Sequence, residues 1–170
     1  STYNGLLKIN TSGEEKWFRT EKGFPSSLIR LVYEDKDNNI WVGTRDAGLI
    51  RMQGEKVSRI IDHTSGLGAN LIISIKEDNV GNLIVGTSGG GVSILHNDEV
   101  IQVLSTETGL IGNVVFNTYT DSDNVIWVAT SMGLSRVSKD AITNYNVVSG
   151  LSSNSPYDII EDNNGSFWLP

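Results

Sequence analysis

One short pattern returns along this chain at a fixed interval. Asp35, Asp78, Asp121 and Asp162 lie 43, 43 and 41 residues apart. Trp41, Ile84, Trp127 and Trp168 keep the same steps, and so do Gly23, Gly66, Gly109 and Gly150. The head of the chain is in phase, because GLLKI from Gly5 lies 43 residues before GLIRM from Gly48. Three markers on one period of this length mean that a single supersecondary unit is copied, and such a unit covers its apolar surface only with its neighbours. Architectures in which each copy packs on the next are therefore the ones open to this chain.

Residues 24–66 show what one copy folds into. LIRLVYED (28–35) is apolar on nearly both alternating faces, which suits a strand covered on both sides better than an amphipathic helix. DKDNN follows as a tight turn with a residue in the left-handed region. IWVGT (40–44), dense in β-branched and aromatic residues, is the second strand. RDAG is a loop closed by Gly48, LIRM the third strand, QGEK a turn and VSRIID the fourth strand. HTSGLGAN then leads into the next copy, and no twelve-residue window shows a convincing helical period. Four short strands joined by hairpins make an antiparallel meander, and a repeated four-stranded meander is a β-propeller blade.

The expected fold is all-β: one propeller segment over residues 1–170, a partial propeller or four-blade fragment. Full blades occupy 24–66, 67–109 and 110–150, with the second half of a blade over 1–22 and the first half of another over 151–170. The recurring Trp fills the wedge between neighbouring blades, and Ile84 is a smaller filler of the same slot. Two closures are open. The half-blades complete one another in a four-blade ring, or the chain is part of a larger ring and its open edges take partners. The larger ring is the expectation, with end-to-end pairing of two copies as an accompanying hypothesis. The chain starts in mid-pattern and stops at Trp168-Leu169-Pro170 inside a strand, so it reads as a piece of a larger protein.

Charge and residue usage narrow the chemistry. A net charge of −7 with no basic run argues against nucleic acid or an anionic membrane surface as partner. The absence of Cys removes disulfides, thiolate chemistry and Cys-based zinc sites. The Glu-Asp pairs at 34–35, 77–78 and 161–162 resemble acid–base carboxylates, but neighbouring strand residues point to opposite faces. Asp35 and its equivalents are expected to accept hydrogen bonds from turn N–H groups instead. DKDNN and DSDNV begin like calcium loops but lack the Gly at position six and the Glu at position twelve. His63 and His96 fall in non-equivalent connections, and TSGGG (87–91) enters a strand rather than a helix. No catalytic residue, metal site or cofactor is expected.

The strings LVYEDKDNNIWVGTRDAGL, SIKEDNVGNLIVGTSGGGV, TYTDSDNVIWVATSMGL and the shorter DIIEDNNGSFWLP, with linkers SGLGANLI, TGLIGNVV and SGLSSNSP, resemble the regulator-propeller repeat. That repeat is found in the extracytoplasmic sensor halves of Bacteroidetes hybrid two-component histidine kinases. The departures are Ile84 for Trp, Ala129 for Gly, Asp46-Ala47 for Gly-Gly, and a loop one residue shorter at Ser131-Met132-Gly133. The resemblance implies a periplasmic, non-catalytic segment. It implies sensing of a small molecule or oligosaccharide such as a glycan fragment, signalling across a membrane to a kinase, and further blades of the same protein as neighbours. Two alternatives stay open. One is a propeller scaffold for protein–protein contact or dimerisation; the other is a propeller lyase or hydrolase.

Blade topology places any site. The loop from second to third strand and the connection between blades share one face around the central channel, where a rigid scaffold presents binding residues. Here that face carries Arg45, Asp46, His63, Asn70, Ser88, Asn113, Met132, Asn154 and Ser155, the candidate ligand contacts.

Overall fold

A computed structural model of the protein describes residues 4–170, and residues 1–3 of the expected first half-blade lie outside the described residues. Three four-stranded antiparallel meanders follow one another. The first runs β3 (Ile29–Glu34), β4 (Ile40–Thr44), β5 (Leu49–Gln53) and β6 (Lys56–Ile61). The second runs β7 (Ile72–Glu77), β8 (Leu83–Thr87), β9 (Val92–His96) and β10 (Glu99–Leu104). The third runs β11 (Val115–Thr120), β12 (Ile126–Thr130), β13 (Gly133–Val137) and β14 (Ile142–Tyr145). Before them stands a two-stranded sheet, β1 (Leu6–Ile9) and β2 (Glu15–Phe18), and after them another, β15 (Ile160–Glu161) and β16 (Phe167–Trp168). We refer to the three meanders as blades 1 to 3, with half-blades before and after. The first strands β3, β7 and β11 pack on one another, so the blades converge there and splay outward toward their fourth strands.

The connections between blades contain what the strand pattern did not reveal. Thr20–Lys22, His63–Ser65, Thr106–Thr108 and Val147–Ser149 are single 3-10 turns, each closed by a glycine in the left-handed region. Three residues are too few to show a helical period. The cue was the cap: Asp62, Ser105 and Asn146 each accept hydrogen bonds from the first turn's N–H groups, with Gly four positions on.

The turn Asp is tied to the wedge Trp. Asp35 Oδ1 accepts from the N–H of Asp37 and Asn39, at 3.0 and 2.8 Å, while Oδ2 accepts the Trp41 indole N–H at 2.7 Å. Asp121 does the same for Asp123, Val125 and Trp127, and Asp162 for Asn164, Ser166 and Trp168. In blade 2, where Ile84 has no N–H to offer, Asp78 Oδ2 takes the side-chain amide of Asn82 at 2.8 Å. The turn residue Asn38 is left-handed (φ 61°), as Asn124 is (φ 60°), and both are Asn because its short polar side chain tolerates this region. The carboxylates thus serve the turns.

The core lies between blades rather than inside any one sheet. Trp41 is buried among Ile72, Ile75, Leu83, Val85 and Leu95, all from blade 2. Ile84 packs with Val115, Ile126 and Val128 of blade 3, and Trp127 lies 4.3 Å from the Phe167 ring of the last half-blade. Ion pairs clasp the same boundaries from outside. Lys8 reaches Glu55 at 3.0 Å, and Arg51, stacked over Trp41, pairs with Asp98; each pair is 47 residues apart and crosses one boundary. The exposed Lys8–Glu55 pair contributes little.

The two half-blades are separate sheets, so the segment is an open arc. Val32 is 49% exposed, whereas Ile75, Thr118 and Ile159 at the same repeat position are 3%, 1% and 4% exposed. An apolar groove beside Val32, lined also by Leu6, Phe18, Ile40 and Met52, lies where a neighbour's Trp sits at the other boundaries. At the far end Trp168 is 63% exposed against 2% for Trp41.

Substitutions at the wedge separate position from consensus. Trp41→Ala is expected to destabilise by about 3–5 kcal/mol, the cost of an unfilled aromatic site. Ile84→Trp, although it restores the repeat pattern, is expected to cost about 1–3 kcal/mol, because the fully buried slot is packed to the size of Ile. Urea unfolding of both variants measures these changes.

Candidate functional site

The loops at the channel end of the blades are stitched together through the backbone. Arg45 N–H donates to the Leu28 carbonyl at 3.0 Å, Ser88 N–H to Leu71 at 2.9 Å and Ser131 N–H to Val114 at 3.0 Å. Gly48 N–H reaches the Asn70 carbonyl of the next connection at 3.2 Å, and Gly89 and Gly91 both reach that of Asn113. Second-to-third-strand loops and inter-blade connections therefore form one surface, and all nine candidate residues lie on it.

Their side chains divide by use. Asn70, Asn113 and Asn154 hold the same place in three repeats. Each amide oxygen accepts the first N–H of a 3-10 turn, from His63 at 2.8 Å, Thr106 at 2.8 Å and Val147 at 2.9 Å. These N–H groups have no partner within the turn itself, so the three Asn side chains hold the connections in shape. Asp46 accepts from the hydroxyl of buried Ser26 at 2.6 Å, and that hydroxyl accepts from Leu28 N–H. Ser155 Oγ lies 3.4 Å from the Ser131 carbonyl, and Ser88 is bridged to Val114. Met132 is exposed at the tip of the shortened loop, and Arg45 and His63 are exposed as well. The surface is thus a stiff rim with a cation, an imidazole and a thioether outermost.

Nothing gathers the two histidines. His63 Nδ1 lies 3.4 Å from the Asn70 amide at the channel end, while His96 Nδ1 lies 2.9 Å from Asn82 Oδ1 at the opposite end of blade 2. Among the described residues no group of three or more His, Cys, Asp or Glu is placed to hold a metal ion. A polar cleft of about 220 Å³ at the turn end, between blades 1 and 2, is lined by Asp35, Trp41, Arg51, Glu77 and Asp98. Arg51 pairs with Asp98 and Lys36 with Glu77 across the blade boundary, while Trp41 donates to Asp35 within blade 1.

One set of channel residues carries no signal in the strand pattern. Each full blade has a register shift in its first strand pair, between Ile29 and Leu31, Ile72 and Ser74, and Val115 and Asn117. The extra residues are Arg30, Ile73 and Phe116, and Tyr157 has the same repeat position in the last half-blade. The Phe116 and Tyr157 rings stack across the boundary with centroids 4.8 Å apart and planes at 28°.

Residues 23–46 and 109–132 match the family described as two component regulator propeller. The fold matches the extracellular domain of a protein described as a hybrid two component system of B. thetaiotaomicron, with 28% identity and a TM-score of 0.84 over 99% of this chain. A second such extracellular domain from the same organism matches with 21% identity and a TM-score of 0.81. The chain spans about a quarter of the length of these two structures, 24% and 26%. Virginiamycin B lyase from Staphylococcus aureus shares the fold alone, with 16% identity and a TM-score of 0.71 over 98% of this chain and 56% of the lyase. None of the curated proteins matches this chain. No helix among the described residues is long and apolar enough to cross a membrane.

The turn carboxylates make stability depend on acid. Burial pulls Asp35 upward, but hydrogen bonds from the Trp41 indole, Asn39 and the turn N–H groups outweigh it and hold the carboxyl below its ordinary value of 3.8. The Trp168 indole, with the turn N–H groups, lowers Asp162 likewise. A depressed carboxylate contributes stability that is present above its unfolded pKa and lost as pH falls through its folded pKa. Thermal melts are therefore expected to be level from about pH 7 to about pH 5 and to fall steeply below about pH 4. Asp35→Asn should lower the melting temperature at neutral pH and flatten the acid limb.

Proposed function

We propose that these repeats are part of the extracytoplasmic, periplasmic sensor region of a hybrid two-component system. In this reading the segment binds a ligand on its channel face and takes part in signalling across the membrane to a kinase elsewhere in the protein. The observation that carries it is the 28% identity, over 99% of this chain, with an extracellular domain of a hybrid two component system. Supporting it, the channel end is a stiff rim stitched by backbone hydrogen bonds, suited to presenting side chains without a cost of ordering at binding. The ligand is a small oligosaccharide such as a glycan fragment, whose hydroxyls and ring faces suit the amide, carboxylate, thioether and aromatic groups of that face. The segment itself is non-catalytic.

The open ends carry the partner side of the proposal. Val32 and Trp168 present the two complementary halves of a blade boundary that is formed three times within the chain. Further blades of the same protein cover them, and in their absence copies of this segment associate through the same surfaces.

Calorimetric titration of the full chain against a panel of plant, host and microbial oligosaccharides tests the ligand reading. Saturable binding to at least one member is expected, weakened about tenfold, or about 1.4 kcal/mol, by Asp46→Ala or Met132→Ala. A panel without a binder sinks the saccharide reading. Light scattering tests the open ends: association is expected, and Trp168→Asp should shift the mass toward 18.5 kDa.

A further inference from the structure

The register shift in each first strand pair does more than bend the strand. Ile29 belongs to the apolar cluster facing the preceding half-blade, whereas Leu31, two residues on, packs in the cluster facing blade 2. Ile72 likewise faces blade 1, while the Ser74 hydroxyl lies 3.2 Å from that of Thr118 in blade 3. Val115 packs toward blade 2, while Asn117 donates to Asp158 in the last half-blade. In a regular strand, residues two apart share a face. The single extra residue reverses this, and a bulge re-aims the side chain that it inserts. Because β3, β7 and β11 are the edges that converge, the bulges set Arg30, Ile73 and Phe116 at the inner edge of their sheets, and Tyr157 holds the same repeat position in the last half-blade.

These four positions also differ where their surroundings do not. The residue just before each is Ile29, Ile72, Val115 or Pro156, apolar and buried every time. The bulge position itself is Arg, Ile or Phe, and the equivalent residue of the last half-blade is Tyr. The copies share one backbone, so the fold tolerates this variety and does not require any of these side chains. Arg30 is exposed and enters no ion pair among the described residues, and Tyr157 is 67% exposed although its ring stacks on Phe116. A cation thus stands at one end of the arc, an aromatic pair at the other, and an aliphatic side chain between. Asp158, which accepts from Asn117, places negative charge beside the aromatic pair.

We propose that Arg30, Ile73, Phe116 and Tyr157 form a binding stripe for an elongated acidic saccharide. The inference rests on the ligand-sensing reading above and narrows it. One sugar ring lies with its C–H face on the free face of Tyr157. The chain crosses Ile73, and an anionic group reaches the Arg30 guanidinium, whose planar fork matches a carboxylate or a sulfate. The two ends belong to the first and last of four successive repeats, so an oligomer spans the stripe and a single sugar does not. Asp158 sets the direction by repelling the anionic group from the aromatic end.

The test titrates the full chain with tetragalacturonate, a sulfated galactan tetrasaccharide and neutral galactotetraose, followed by calorimetry and by tyrosine and tryptophan fluorescence. At least one acidic tetramer is expected to bind ten- to a hundredfold more tightly than the neutral one, the range of a charge-assisted hydrogen bond. Arg30→Ala should abolish that preference, Arg30→Lys should retain part of it, and Tyr157→Ala should weaken every tetramer about tenfold. Carboxylate and sulfate are told apart by which acidic tetramer shows the preference. Both side chains are exposed, so unchanged thermal melts will show the variants folded. Neutral and acidic tetramers binding alike, or acidic binding indifferent to Arg30→Ala and Tyr157→Ala, overturns the stripe while leaving ligand sensing in place. No binding by any of the three also overturns it, and the wider panel then decides the sensing reading separately.

Discussion

The bond from an indole N–H to a turn carboxylate is the point on which the rest of this structure turns. Asp35, Asp121 and Asp162 each close a hairpin turn with one oxygen and hold a Trp ring with the other. One side chain thereby couples three levels. It sets the left-handed turn, starts the second strand in register, and fixes the rotamer of the ring that fills the wedge against the next blade. A buried indole needs a partner for its N–H, and here the partner is the residue that makes the turn. Blade 2 does without it: Ile84 fills the slot, and Asn82 alone holds the second oxygen that Asn39 shares with the Trp41 indole in blade 1.

Because the core lies between blades, no blade has a reason to stand alone. Trp41 finds its apolar surroundings chiefly in blade 2, and Ile84 in blade 3. The same logic leaves Val32 and Trp168 uncovered at the two ends, each half of a contact that is complete everywhere else. Rigidity at the channel end has a different source, a web of backbone bonds linking loops to connections, with Asn70, Asn113 and Asn154 fastening the 3-10 turns. A surface held in this way can vary its outermost side chains at little cost to the fold.

How far the site was legible depends on the residue. Arg45, Asp46, His63 and Met132 are assigned to the channel end by topology alone, since hairpin order decides which loops share a face. The use of the three Asn side chains was not visible, because their partners are backbone N–H groups of turns too short to leave a period. The bulge residues were hidden for another reason. An extra residue inside an alternating strand reads as a slip of the pattern, and in LIRLVYED, apolar on nearly both faces, a slip is silent. Comparing equivalent positions of the copies does expose them, once the register is known.

The sequence by itself determined the repeat, its four strands, the turn chemistry of the Asp positions and the wedge role of the Trp. All of these are consequences of local spacing that every copy states again. Only the tertiary structure decided which side chains meet. Residues such as Phe116 and Tyr157 lie 41 positions apart, and their stack depends on the bulge at Phe116 and on the packing of the last half-blade against blade 3. Local pattern carries strand and turn because those depend on neighbours in the chain. A site on a propeller depends on neighbours in the ring, and these are brought together by packing between blades.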